Sequence, residues 1–191
     1  MEYTADDALE DLRIHVCFEL QSLLIAGTCW LAEERGTKPT ARADYLTGLA
    51  QDSAIVHARN LFEFLTDKNE NEQWLADRGL PFGGATTRKR LDLPRQHSSL
   101  WKEYRDAAMR KVFHMSSWRP HAPGESDGRG AADDLQHRAF DFAQEALRCW
   151  DAMLDESEEP SRSVLAEGRR KAIEQSTRAT TGYGIDPAPF E

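Results

Sequence analysis

The sequence lacks the features of a secreted or membrane-spanning protein. It begins with acidic residues (Glu2, Asp6 and Asp7) and has neither the basic start nor the apolar core of a signal peptide. Its longest apolar run, Leu23–Leu31, is too short to cross a bilayer. We therefore expect a cytoplasmic protein with no membrane partner.

Cysteine is also scarce. The three cysteines, Cys17, Cys29 and Cys149, have no spacing typical of a disulfide framework. Each stands in a helical pattern among apolar neighbours, so we expect small buried thiols in a reducing compartment.

Positive charge is in deficit, since the 191 residues carry a net charge of −9. That balance argues against sequence-independent nucleic-acid binding over the whole surface. The charge is uneven, however, because the segment Arg88–Lys111 is basic. This segment is a candidate site for RNA or another anionic ligand, and a solvated surface of mixed charge is the alternative.

No run alternates with the two-residue period of a strand, and no internal repeat occurs. Apolar residues instead recur three and four positions apart, which predicts amphipathic helices. In chain order these run from a Thr4–Asp7 capping box to about Arg35, from about Ala41 to Thr66, from Ser98 or Ser99 to Met115, from near Asp133 or Asp134 to Pro160, and, more weakly, from Ser161 to Ile173. The pattern predicts an all-α, four-helix-type bundle with one or two additional short helices and long loops.

We expect a single helical-bundle domain over residues 1–178 and a flexible C-terminal tail over residues 179–191, where glycine and proline recur. Residues 86–99 show little periodicity and are expected to lie in a long connection. The second predicted helix is apolar on more than one side, so we expect it to be the central element of the bundle.

Polar side chains interrupt the apolar faces of the second and third predicted helices. His57 and Asn60 lie one turn apart on the second helix, and Arg59 projects about 100° from Asn60. Arg110 and His114 lie one turn apart on the third helix. If the two helices pack together, we expect these side chains to converge.

Such a set has the groups that RNA cleavage requires. A histidine with a pKa near neutrality can transfer a proton from the 2′-hydroxyl or to the leaving oxygen. An arginine can stabilise the negative charge of a phosphorane-like transition state, and an asparagine can orient either group. This chemistry needs neither a metal nor another cofactor.

Residues 57–65 and 109–116 resemble the corresponding segments of small bacterial HEPN-like helical proteins, over roughly the first two thirds of the chain. The resemblance implies an all-α, usually dimeric protein and, in many members, a metal-independent ribonuclease of a toxin, CRISPR-associated or anti-phage system. The family signature is an arginine, often followed by asparagine, with a histidine five or six residues later. Arg59 and Asn60 match its start, and Phe64 stands at the position of the histidine.

Two other interpretations stay open. In the first, the polar side chains satisfy one another in a non-enzymatic helical interaction or dimerisation module, and Arg59 pairs with Glu63 one turn away. In the second, carboxylates and histidines of the first and fourth helices bind a metal. Its candidate ligands are Asp11, His15, Asp134 and His137, and Asp134-x-x-His137 partly resembles the Glu-x-x-His spacing of di-iron bundles.

Overall fold

The computed structural model describes residues 3–36, 41–66, 84–105 and 137–190. Its helices are α1 (Ala5–Asp11), a π-helical turn (Leu12–Val16), α2 (Cys17–Glu34), α3 (Ala41–Thr66), α4 (Gly84–Arg90), α5 (Ala139–Glu156) and α6 (Ser161–Gly182), and residues 99–105 are also helical. The described ranges contain no strand, so the predicted all-α class is confirmed.

The first predicted helix corresponds to α1, the π-helical turn and α2 together, and it begins and ends as predicted. The backbone N of Asp7 donates to Oγ1 of Thr4 at 3.2 Å, and the backbone N of Thr4 donates to Oδ2 of Asp7 at 2.8 Å, which completes the capping box. At the other end, α2 stops at Glu34, shortly before Gly36, whose φ of +66° favours glycine. The π-helical turn between α1 and α2 was not predicted. It leaves Ile14 51% exposed between two buried neighbours, Leu12 and Val16.

The central helix is α2, whereas the sequence predicted α3 for that role. Three long helices (α3, α5 and α6) pack around α2. Two of these contacts are so close that only glycine fits. A Cβ at Gly27 would lie 2.9 Å from Cβ of Ala143, and a Cβ at Gly168 would overlap with Sγ of Cys17.

An aromatic cluster connects the helical residues 99–105 to the bundle. The ring centroid of Trp101 lies 5.5 Å from that of Phe62 on α3, and Phe62 lies 5.8 Å from Phe142 on α5. The backbone N of Trp101 donates to Oγ of Ser98 at 3.0 Å, which confirms Ser98 as the predicted cap. The rest of this predicted helix, and the residues near Asp133 where the next was expected to begin, lie outside the described ranges.

The last helix, α6, differs most from its prediction. It has 22 residues and extends nine residues beyond Ile173, so it is not the weak, short helix expected from the sequence. The reason is that its buried face consists mainly of small or hydroxyl-bearing side chains, which give little hydrophobic periodicity. These are Ser161, Leu165, Gly168, Ala172, Ser176 and Thr180. The short helix α4 was also not predicted, because its residues lack an apolar stripe.

The C-terminal residues pack against the bundle. The boundary predicted at residue 178 lies inside α6, and Ile185 is only 4% exposed. The guanidinium of Arg42 lies 4.8 Å from the ring centroid of Tyr183, and the rings of Phe190 and Phe140 are 5.6 Å apart. The side chains of Tyr183, Ile185 and Phe190 therefore belong to the packed structure.

The continuous helix Ala5–Glu34 is long and apolar enough, by length and composition alone, to cross a membrane. Half of its most apolar window is buried within the fold, where α3, α5 and α6 cover α2. The low charge of this stretch is thus also what a central core helix requires.

We expect Gly168→Ala to lower the free energy of unfolding by about 1–3 kcal/mol, because the new methyl group overpacks the contact with Cys17 and Trp150. The matched control is Gly48→Ala, since a Cβ at this exposed position of α3 meets nothing within 4 Å. It should raise stability by about 0.5–1 kcal/mol through the unfolded state. Urea denaturation followed by circular dichroism measures both changes, and equal effects of the two variants would contradict the close contact.

Candidate functional site

Two of the predicted site residues meet at a carboxylate that was not among the predicted catalytic residues. Nδ1 of His57 lies 2.6 Å from Oε2 of Glu19, and Nδ2 of Asn60 donates to Oε1 of the same side chain at 3.0 Å. Glu19 belongs to α2, and the other two residues belong to α3. One carboxylate therefore joins both helices through both of its oxygens. We call this arrangement the Glu19 clamp.

The clamp is partly shielded from solvent. The side chains of His57 and Glu19 are 16% and 21% exposed, and the edge-on ring of Phe18 lies 5.7 Å from the imidazole. Nδ1 of His57 is the donor of this bond when the carboxylate is ionised, because an ionised carboxylate can only accept hydrogen bonds. The carboxylate thereby fixes the orientation of the ring and points its other nitrogen, Nε2, away from Glu19.

Arg59 belongs to a separate pair. Its Nε donates to Oε1 of Glu63 at 3.0 Å, and the two side chains are 18% and 19% exposed. The pairing of these residues one turn apart confirms the prediction made from their spacing. The structure therefore brings His57 and Asn60 together at Glu19 and directs Arg59 to a different carboxylate.

Phe64 occupies the position at which the HEPN-like signature has a histidine. It is only 1% exposed and lies in the main hydrophobic core. The guanidinium carbon of Arg88 is 5.8 Å from its ring centroid. A side chain at this position faces the interior of the bundle, so it cannot contact a substrate on the surface beside Asn60.

The other two predicted catalytic residues, Arg110 and His114, lie outside the described residues, so their convergence with His57 stays a prediction. The basic segment is described as far as residue 105. Within that part Arg88 is buried, and four cationic side chains are exposed to solvent. These are Lys89, Arg90, Arg95 and Lys102.

The candidate metal ligands have other contacts. Asp11 accepts a hydrogen bond of 2.6 Å from the hydroxyl of Tyr3, and burial together with this bond raises the pKa of Tyr3 to about 12. Nε2 of His15 lies 4.0 Å from Oδ1 of Asp11, and the ring of His137 stacks on Trp30 at 4.6 Å. Asp134 is outside the described ranges. Among the residues that the structure describes, no group of three histidine, cysteine or carboxylate side chains is arranged to hold a metal ion.

All three cysteines are buried, as predicted. Burial raises the pKa of the Cys17 thiol to about 12 and the pKa values of Cys29 and Cys149 to about 11. These thiols are therefore protonated at neutral pH, which is typical of structural cysteines.

Glu19 is the residue of the site that sequence reasoning missed. It follows Asp11 by eight residues and His15 by four, a spacing that suggests one row on a solvated helix face. The π-helical turn at Leu12–Val16 changes the rotation per residue between these positions, so the row is broken. His15 is exposed, and Glu19 turns towards α3.

We expect Glu19→Ala and His57→Ala each to lower the free energy of unfolding by about 1–3 kcal/mol, because each leaves a partly buried polar partner unsatisfied. The double variant should lose less than the sum, with a coupling energy of about 0.5–3 kcal/mol. The matched control is the exposed pair Glu10–Arg13, for which alanine substitutions should change stability by less than about 1 kcal/mol. Thermal and urea denaturation measure the cycle, and additive effects at Glu19 and His57 would contradict the clamp.

Comparisons with known proteins give no relative for this chain. No protein-family model matches the sequence, and neither a curated protein nor a solved structure is significantly similar to it. The HEPN-like resemblance therefore stays a prediction that depends on the residues named above.

Proposed function

We propose that this chain is a non-enzymatic helical interaction module that associates through the outer surface of α2 and α3. The observation that carries the proposal is a set of four large apolar side chains, each at least half exposed to solvent. These are Ile14 (51%), Phe18 (54%), Tyr45 (65%) and Leu49 (50%). We call this surface the α2–α3 face. Exposed apolar patches of this kind are typical of interaction sites.

The four side chains form two pairs, Ile14 with Phe18 and Tyr45 with Leu49, each four residues apart in the chain. Tyr45 and Leu49 are one turn apart on α3, and Leu49 precedes Asn60 by eleven residues, which is about three full turns. Leu49 and Asn60 therefore lie along the same side of α3. Asn60 reaches Glu19 on α2, where Phe18 is the neighbouring residue. The Glu19 clamp joins the two helices beside Phe18, at one end of this surface.

The occupant that fits this face best is a second copy of the chain, which supplies an identical apolar surface in a two-fold arrangement. The polar groups of the clamp are hydrogen-bonded to one another, so they do not need hydrogen bonds from a partner. The α2–α3 face is about 27 Å long, the length of the 18 residues of α2, and about 20 Å wide, the width of two helices. Its projected area is therefore about 540 Å². That is the same order as the roughly 800 Å² per partner in a stable interface.

We expect a dimer at micromolar concentration. The double variant Phe18→Glu/Leu49→Glu should raise the dissociation constant of this dimer by about 30-fold or more, because it puts charges into an apolar contact. Sedimentation velocity measures the association. The matched control is Arg178→Glu, a charge change at an 80% exposed site on α6. A monomeric wild type, or an unchanged dimer in the double variant, would contradict this interpretation.

An RNA-associated, HEPN-like protein is the second candidate, as a diverged metal-independent ribonuclease component of a defence or toxin-type system. Two observations favour it. Glu19 orients His57 as a carboxylate orients a general base, and the four exposed cations of the basic segment offer contacts to phosphate. In this candidate His57 transfers the proton, and Arg59 or Arg110 stabilises the phosphorane-like transition state with His114.

If this candidate is correct, the purified protein should cleave RNA in the presence of a metal chelator. His57→Ala and His114→Ala should then each lower the rate by about 10²-fold or more, because each removes an acid–base group. Gel assays on a labelled RNA measure the rate, and circular dichroism confirms that the variants are folded. Absence of cleavage by clean wild type, or full cleavage by both variants, would exclude the catalytic role.

A further inference from the structure

Helices α2 and α3 form an antiparallel hairpin, which fixes where each exposed apolar side chain of the α2–α3 face lies. Glu19 is 15 residues before the end of α2, and His57, which contacts it, is 16 residues after the start of α3. Nearer the connected ends, the side chains of Cys29 and Thr47 are hydrogen-bonded to each other. The Glu19 clamp therefore lies about 23 Å from the connected ends of the two helices.

The two apolar pairs lie at opposite ends of this hairpin. Ile14 and Phe18, which we call the Phe18 pair, precede Glu19 and are centred about 27 Å from the connected ends. Tyr45 and Leu49, which we call the Leu49 pair, follow the start of α3 and are centred about 9 Å from those ends. The pairs are therefore about 18 Å apart along the hairpin and about 10 Å apart across it.

Two small side chains lie midway between the pairs. Ser22 follows Phe18 by four residues on α2, and Ser53 follows Leu49 by four residues on α3, so each is one turn further along the same side of its helix. Both serines are half-buried, and both lie about 18 Å from the connected ends. The hydroxyl of Ser53 donates to O of Ala50 at 3.2 Å, within its own helix. The middle of the face thus carries short side chains between two apolar projections.

Two placements of a two-fold axis bring both pairs of one copy into contact with both pairs of the other. If the axis runs through both pairs, each of the four large side chains meets its own copy on the axis, where the two compete for the same space. If the axis instead crosses the face midway between the pairs, the Phe18 pair of each copy meets the Leu49 pair of the other. Only the short side chains of Ser22 and Ser53 then lie near the axis.

We propose that the two-fold axis of the dimer crosses the α2–α3 face midway between the two pairs, so that the Phe18 pair packs on the partner's Leu49 pair. This inference rests on the dimer proposed above and names the surface of the second copy that each pair binds. Each contact then combines an aromatic with an aliphatic side chain, because Phe18 meets the partner's Leu49 and Ile14 meets the partner's Tyr45. The two contacts are equivalent by symmetry.

The first test uses the full chain with one added cysteine and a short thiol-to-thiol cross-linker. The three native thiols are buried and protonated at neutral pH, so wild type should not be linked. An equal mixture of Phe18→Cys and Leu49→Cys should give covalent dimers, because these positions adjoin across the axis. Either variant alone should give no more covalent dimer than the matched control Arg178→Cys, an 80% exposed site on α6, because identical positions lie about 15 Å apart. Denaturing gels and mass spectrometry of the linked peptides measure the outcome.

The second test compares two charged double variants by sedimentation velocity. Phe18→Glu/Leu49→Lys puts opposite charges at each proposed contact, whereas Phe18→Glu/Leu49→Glu puts like charges there. We expect the first variant to have a dissociation constant at least about tenfold lower than the second, and the difference to shrink in about 1 M salt. If identical side chains met instead, both variants would place like charges together and would be weakened alike.

The possible outcomes separate this arrangement from the dimer itself. A dimeric wild type would leave the dimer standing but overturn the arrangement if Phe18→Cys or Leu49→Cys alone is linked above the control, if their mixture is not linked, or if the two charged variants have equal dissociation constants. A monomeric wild type would overturn both proposals. Where both charged variants are monomeric, the cysteine pattern decides, and circular dichroism shows whether each variant keeps its fold.

Discussion

Every long helix described in this protein packs against α2, and two of those contacts bring the helices so close that only glycine fits. Gly27 admits Ala143 of α5, and Gly168 of α6 admits Cys17. Close packing of this kind gains dispersion energy over the whole helix surface and tolerates little change in volume. Because α3, α5 and α6 occupy three sides of α2, these described helices leave one strip of α2 uncovered.

The exposed strip explains why polar and apolar groups are found side by side at the candidate site. Glu19 faces α3 at the border of the packed surface, and its neighbour Phe18 points outwards. A half-buried carboxylate is costly unless donors satisfy it, and His57 and Asn60 supply two. The same hydrogen bonds would also orient a histidine for proton transfer, so this geometry is compatible with a structural clamp and with acid–base chemistry. The exposed apolar neighbours favour the first of these roles.

Local signals in the sequence predicted much of the fold. The capping box at Thr4, the cap at Ser98 and the glycine at position 36 set helix ends, because they satisfy backbone groups that no tertiary contact needs to supply. Helix α3 agrees with its predicted bounds because its apolar stripe is strong. Helix α6 was underestimated, since a face made of glycine, alanine and hydroxyl side chains becomes a packing surface only when a partner helix approaches closely.

Some features of the fold and of the candidate site were likewise predictable from the sequence, and others were not. The sequence alone determined the all-α class, the i, i+4 pairing of Arg59 with Glu63 and the burial of the cysteines, because each depends on local spacing or on side-chain hydrophobicity. Only the tertiary structure determined that α2 is central, that Glu19 holds His57 and Asn60, and that the ring of Phe190 lies beside Phe140 of α5. Those contacts join residues far apart in the chain, and the π-helical turn before Glu19 rotates its side chain out of the row that regular helical spacing predicts.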